Sequence, residues 1–143
     1  MKVSIIVPVY NSSPMLEELV QRIAITMANL NLKNNYELLL INDASKDDSW
    51  KTITVLIKQF TFIKGINLSE NFGQHNAIMA GLNNCRGDYI ITIDDDLQHP
   101  PEFFPDILNL FSLAFNFAST FSKSSEVKKS EVLKKPAVEL GAI

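Results

Sequence analysis

The sequence predicts an α/β fold built on a mostly parallel sheet. Two observations carry that expectation. Short apolar runs rich in Val, Ile and Leu alternate with segments whose apolar residues recur at helical spacing, in the order β-α-β-α-β-α-β-α. The strand-like runs also break off into polar clusters, as expected where parallel strands end at a ligand-binding rim.

The first run, "KVSIIVPV", reads as a strand buried on both faces. "NSSP" follows, with Ser13 expected as N-cap and Pro14 at the first helical position. Leu16, Leu19, Val20, Ile23, Met27 and Leu30 then recur at helical spacing and predict a helix over 14–30. After the turn "NLKNN", "YELLLI" is a second strand, and "NDASKDDS" is a turn rich in capping residues. Trp50, Ile53, Leu56, Ile57 and Phe60 mark a second helix. "FIKGINL" reads as a third strand, "SENFGQHN" as a polar loop and "AIMAGLNNC" as a short helix. "RGD" is a turn into a fourth strand, "YIITI", and Phe103, Ile107, Leu108 and Phe111 suggest a last helix. No strand is expected from about residue 112 onward. There five lysines and two glutamates crowd into 122–135. The expected division is a folded unit over 1–112 and a divergent, disordered basic tail over 113–143 that could touch phosphate or a membrane surface.

The chain has 143 residues, 46% hydrophobic and 20% charged, enough for one packed domain. A net charge of -3 supplies no basic field, so nucleic acid is not an expected partner. The single cysteine, Cys85, excludes a disulfide framework and a multi-cysteine zinc site, and reads as a small buried hydrophobe. No apolar run reaches the roughly 18 residues of a membrane span. "VSIIVPVY" is too short for a secretory core. The expected location is therefore cytoplasmic, and the chain could still work beside a membrane.

The sharpest feature is "ITIDDDLQHPP". Three carboxylates crowded at a strand end repel one another and raise one another's pKa unless a cation sits among them. On an extended segment, residues i and i+2 share a face. Asp94 and Asp96 would then face one ion, with Gln98 adding a neutral oxygen and Asp95 facing elsewhere. Hard oxygen ligands suit Mg²⁺ or Mn²⁺ bridging phosphates. The competing reading is acidic capping of the next helix, which accounts for one aspartate but not for three and a glutamine. Pro8, Tyr10 and Asn11 follow strand one, and Asn42 and Asp43 follow strand two. Asp43 could accept from a nucleobase N–H and Tyr10 could pack on the base, although turn formation and core packing explain either alone. His75 could donate to a phosphate, and His99 is either a loop residue or a ligand.

Taken in order, "IIVPVYN", "LLLINDASKDDS", "LSENFGQHNAIMAGL" and "GDYIITIDDDLQHPPE" resemble glycosyltransferase family 2 over about residues 2–111. The nearest branch is that of polyprenyl-phosphate (dolichol-phosphate-mannose-synthase-like) sugar transferases of bacterial envelope biosynthesis. The resemblance implies a GT-A fold, whose Rossmann-like nucleotide-sugar-binding half has strand order 3-2-1-4. It places Pro8, Tyr10, Asn11 and Asp43 around the donor base and ribose, and Gln74 in the loop beside the donor. Asp94 and Asp96 become the DXD element, with Asp96 and Gln98 nearest the metal. Asp95 holds the variable middle position and is counted with Asp94 on the donor side. The implied partners are a nucleotide-diphosphate sugar and a polyprenyl-phosphate or glycan acceptor.

Several residues depart from the family pattern. Ser12 stands where an acidic residue is frequent, Asn42-Asp43-Ala44-Ser45 stands where the second turn usually reads Asp-Asp-Gly-Ser and keeps Asp43, and Glu70 stands where a basic residue is frequent. Beyond residue 112 nothing is recognised of the continuation that carries the acceptor pocket and general base. A truncated or frameshifted reading frame, with weak or absent transferase activity, is the resulting expectation. The rivals are a non-catalytic nucleotide-binding remnant and a nucleotidyltransferase. The latter would call for a Gly-rich basic loop after strand one, which "PVYNSSP" is not.

Overall fold

The computed structural model describes residues 2–110, 113 and 137–140. Strand β1 (Val3–Val9) is followed by helix α1 (Ser13–Asn29), β2 (Tyr36–Asn42), α2 (Ser49–Gln59), β3 (Ile63–Asn67), α3 (Gln74–Asn84) and β4 (Tyr89–Ile93). A 3-10 turn at Pro101–Phe103 leads into a helix, α4, over residues 104–110. Strand β5 (Ala137–Leu140) completes a sheet of order β3-β2-β1-β4-β5. All four strand pairings are parallel. The expected order 3-2-1-4 is thus present.

Alternation along the strands divides the core in two. Val3, Ile5, Val7 and Val9 of β1, Leu38 and Leu40 of β2, and Ile91 and Ile93 of β4 pack with α1, α2 and α4. Ile6, Leu39, Ile41 and Ile90 face the other way, toward Ala77 of α3. Both faces of β1 are buried, which is why it reads as an unbroken apolar run. Each fully buried Ile or Leu contributes about 1.5–3 kcal/mol. At Gly81 of α3 an added Cβ would lie 2.5 Å from Ile6 Cγ2, so the glycine sets how closely that helix sits on β1. On the opposite layer Arg22 of α1 donates to both carboxylate oxygens of Glu102, at 2.9 and 2.7 Å.

A polar cluster sits at the amino end of the sheet. Glu37 of β2, buried, accepts from Ser4 Oγ (2.6 Å), Lys64 Nζ (2.6 Å) and the Arg86 N–H. Burial pushes the Glu37 carboxyl up, but Lys64, Ser4 and Arg86 outweigh it and hold it at about 2. The Gly87 N–H donates to the same Ser4 hydroxyl at 2.7 Å. "RGD" is therefore a structural turn: a Cβ on Gly87 would lie 2.5 Å from the Ser4 backbone nitrogen.

Several boundaries differ from the sequence reading. Ser12, not Ser13, is the residue before α1, and Pro14 falls one place inside the helix. Helix α3 begins at Gln74, because the turn at Gly73 ends the loop three residues earlier than expected. A strand exists beyond residue 112: β5 pairs with β4 from Ile90–Ala137 to Ile93–Leu140 and borders the sheet on that side. The other expectations for the basic tail, and Phe111, fall outside the described residues.

Candidate functional site

The site arises where the sheet comes apart. Strands β1 and β2 pair through to Val9–Asn42, but the β1–β4 ladder stops at Ile6–Thr92. Pro8, with no N–H to extend a ladder, lies two residues past that stop. β1 hands the chain to β2 on one side, while β4 arrives on the other side after α3. The gap between β1 and β4 is thus the topological switch point, where open α/β sheets bind ligands. A cleft of about 310 Å³ opens there, lined by Pro8, Val9, Tyr10, Asp43, Asn71, Gly73, Gln74 and Asp94. Strand alternation puts Pro8, Asp43 and Asp94 on the α3 side of the sheet, which is why α3 and its preceding loop close the cleft.

Asp43 is buried, and its carboxylate organises that loop. Oδ1 accepts from the Phe72 N–H (2.8 Å) and Oδ2 from the Gly73 N–H (2.9 Å). Gly73 has φ 86, a conformation that glycine adopts at little cost, so the two successive N–H groups can turn onto one carboxylate. Asn42 extends the support by donating from Nδ2 to Asn67 Oδ1 at 2.6 Å.

The β1–α1 loop is held from two directions. Asn11, at φ 55, donates its N–H to Ser45 Oγ (3.0 Å) and accepts the Lys46 N–H on Oδ1 (2.7 Å). The Ser13 N–H donates to Asp47 Oδ2 at 3.0 Å. Burial raises the Asp47 carboxyl, but its Ser49 and Ser13 donors outweigh that and hold it below the usual range. On the other side, the Tyr10 N–H (3.1 Å) and the Ser12 hydroxyl both donate to Asp95 Oδ2.

The three aspartates therefore go three ways. Asp94 Oδ1 accepts from Gln74 Nε2 at 2.7 Å across the cleft. Asp95 turns to the β1–α1 loop. Asp96 Oδ1 accepts the Gln98 N–H at 3.0 Å in a turn of its own chain. The premise of i,i+2 parity fails here. The strand ends at Ile93, and Leu97 takes φ 61, so the segment is turned rather than extended. Pro8, Tyr10, Asp43, Gln74 and Asp94 come together in the cleft, whereas Asn11, Asp95, Asp96 and Gln98 are not among its lining residues. Asp96 and Gln98 are exposed beside it. Among the described residues, no three His, Cys, Asp or Glu side chains form a ready-made metal cage. His75 is exposed, and the buried His99 Nδ1 has no partner among the described residues.

Sequence reasoning did not single out Asn71 or Gly73, and it marked Ser12 only as a departure from the family pattern. The glycine immediately before a helical run was the available signal for the first two. Ser12 could not have been paired with Asp95 from spacing alone, since 83 residues separate them. Among the described residues no helix is long and apolar enough to cross a membrane.

Solved structures share this fold. A mannosyltransferase from Pyrobaculum calidifontis, in complex with GDP-mannose and Mn²⁺, matches 66% of this chain and 27% of its own at TM-score 0.60 and 22% identity. TarS 1-349 from S. aureus with UDP-GlcNAc matches 67% of this chain and 27% of its own, at TM-score 0.57 and 26% identity. Both carry the GT-A fold. In sequence, the chain is 38% identical over 126 residues to the undecaprenyl-phosphate 4-deoxy-4-formamido-L-arabinose transferase of Klebsiella pneumoniae, covering 87% of this chain and 38% of that protein. It is 46% identical over 108 residues to the Shewanella sediminis protein of the same name, covering 74% of this chain and 32% of the relative. The chain thus spans about a third of the length of these relatives. The model of glycosyl transferase family 2 matches residues 4–132, well past the limit near residue 112 that the motifs suggested. Its motifs, its switch-point cleft and a family match over most of its length make this chain a member of glycosyl transferase family 2.

Proposed function

We propose that the cleft binds the nucleotide diphosphate of a sugar donor, and that the chain is the donor-binding part of an inverting transferase. The observation that carries this is the convergence of Pro8, Tyr10, Asp43, Gln74 and Asp94 on one cleft at the β1–β4 switch point. Tyr10, 43% exposed, offers a ring on which a base can pack. Asn11 and Asp43 hold the loops on which a base and ribose would rest. The amino end of α3, at Gln74, favours an anionic group by its dipole.

The residues present suit a divalent cation. Asp94 lines the cleft and Asp96 and Gln98 follow it on the exposed turn; their oxygen atoms would be the hard ligands, and among the described residues no basic side chain pairs with Asp96. Mg²⁺ or Mn²⁺ held there would act as a Lewis acid on the diphosphate leaving group, sharing it with the protein. The rest of the catalysis asked of this chain is positioning and electrostatics. By likeness to the relatives, the acceptor proposed for the whole reaction is undecaprenyl phosphate, and the proposed location is the inner face of the cell membrane. A phosphate acceptor is already ionised and demands less of a general base than a sugar hydroxyl does.

The test is calorimetric titration of the chain with UDP and GDP, with and without Mn²⁺, beside Asp96→Ala. Metal-dependent binding that disappears in the variant supports the reading. Nucleotide binding that ignores both the metal and the variant contradicts the metal assignment. Absence of binding by the folded wild-type chain contradicts the donor site.

A further inference from the structure

We infer that Asp95 is a positioning residue, a latch that closes the parted end of the sheet and holds the base-binding loop against the metal-binding turn. Past Ile6–Thr92 no ladder joins β1 to β4. Asp95, three residues beyond Thr92, rejoins the two chains by accepting the Tyr10 N–H (3.1 Å) and the Ser12 hydroxyl on one oxygen, Oδ2. The two donors bracket Asn11, whose left-handed backbone reverses the chain and whose side chain ties the loop to Lys46 on the β2 side. The β1–α1 loop is thereby fixed from both flanks, and Asp95 supplies the β4 flank.

The chemistry of the contact explains the residue types. Hydrogen bonds to an ionised carboxylate are about twice as strong as neutral ones. Ser12 Oγ also lies 3.1 Å from the Tyr10 carbonyl, but it has one proton to give, and the shorter contact with Asp95 takes it. A carboxylate turned onto Tyr10 and Ser12 is engaged away from an ion held by Asp94, Asp96 and Gln98. Asp95 is thus neither a ligand of the metal nor a contact of the nucleotide; it acts through Tyr10. A loop fixed before ligand arrives loses less freedom on binding, so the latch favours the nucleotide whether or not the metal is present. This use of the latch rests on the donor-binding reading above, whereas the latch itself does not.

Two measurements separate those claims. Amide hydrogen exchange at Tyr10 reads the latch without any ligand. Asp95→Ala should speed that exchange roughly tenfold, while Asp95→Asn, which keeps an acceptor oxygen, should stay near the wild type. Ser12→Ala should give a smaller change, and Ser12→Ala with Asp95→Ala should be no worse than Asp95→Ala alone. Titration with UDP and GDP should show affinity about tenfold weaker in Asp95→Ala, equally with and without Mn²⁺, in a chain that still unfolds cooperatively in urea. Unchanged exchange at Tyr10, or no rescue by Asp95→Asn, overturns the latch. A loss of affinity confined to the Mn²⁺ titration overturns it in favour of metal ligation. If the wild type binds neither nucleotide, the donor reading fails and the latch loses its use, while exchange at Tyr10 still decides whether it exists.

Discussion

At the amino end of the sheet, Glu37 is 4% exposed and meets a cation, Lys64 Nζ at 2.6 Å, with Ser4 and the Arg86 N–H completing its shell. At the carboxyl end, Asp96 meets only a neutral donor among the described residues, the Gln98 N–H at 3.0 Å. One end neutralises its carboxylate from within the fold. The other leaves negative charge that no basic side chain of the described residues meets. The difference separates a structural carboxylate from a binding one more clearly than burial or residue type does.

The largest effect that tests this contrast is expected at the amino end. Glu37→Ala leaves Lys64, the Ser4 hydroxyl and the Arg86 N–H without their shared acceptor, and should cost about 3–5 kcal/mol in urea denaturation. A loss below about 1 kcal/mol would show that the cluster is not structural. Next in size is its pH dependence. The folded-state value of about 2 lies below the ordinary 4.5, so Glu37 favours the folded chain fully above pH 4.5. That stability falls away as the pH drops toward 2, by at most about 3 kcal/mol. Urea midpoints measured from pH 6 to 2 should fall more steeply in the wild type than in Glu37→Gln, which keeps only the contribution of other carboxylates such as Asp47 and Glu102.

Asp43 stands between the two classes, since it is buried yet lines the cleft. Asp43→Asn puts an amide N–H₂ against either the Phe72 or the Gly73 N–H. It should cost about 1–3 kcal/mol and weaken nucleotide binding through the loop. Unaltered stability would show that the two backbone donors do not depend on the carboxylate. The smallest stability effect is expected at Asp96. Asp96→Ala should stay within about 0.5 kcal/mol of the wild type while metal-dependent nucleotide binding is lost. A large destabilisation there would place Asp96 with Glu37 and dissolve the contrast.

Much of this arrangement was legible in the sequence for identifiable reasons. Runs such as "SIIVPV" and "ELLLI" are buried on both faces, and such strands announce themselves as unbroken apolar runs. Polar residues following them then fall on one rim by topology alone, which is how Pro8, Tyr10, Asp43, Gln74 and Asp94 come together. What was not legible depends on long-range partners or on local turns. Glu37 sits inside an apolar run, and nothing within "YELLLI" reveals its pairing with Lys64 and Ser4. The separate directions of Asp94, Asp95 and Asp96 follow from a turn that begins where β4 ends, and alternation cannot be read through a turn. Strand β5 pairs with β4 from residues distant along the chain, and its four residues carry too short a pattern to stand out.

The central claim is that the carboxyl end of the sheet leaves carboxylates that no basic side chain of the described residues meets, and that a metal shared with a nucleotide diphosphate supplies the positive charge. Electron paramagnetic resonance titration of Mn²⁺ into the chain, with and without UDP or GDP, tests it most directly. The account predicts weak Mn²⁺ binding alone, tightened about tenfold or more by one of the nucleotides, with the nucleotide tightened by Mn²⁺ to the same degree. Mn²⁺ affinity indifferent to both nucleotides would contradict it.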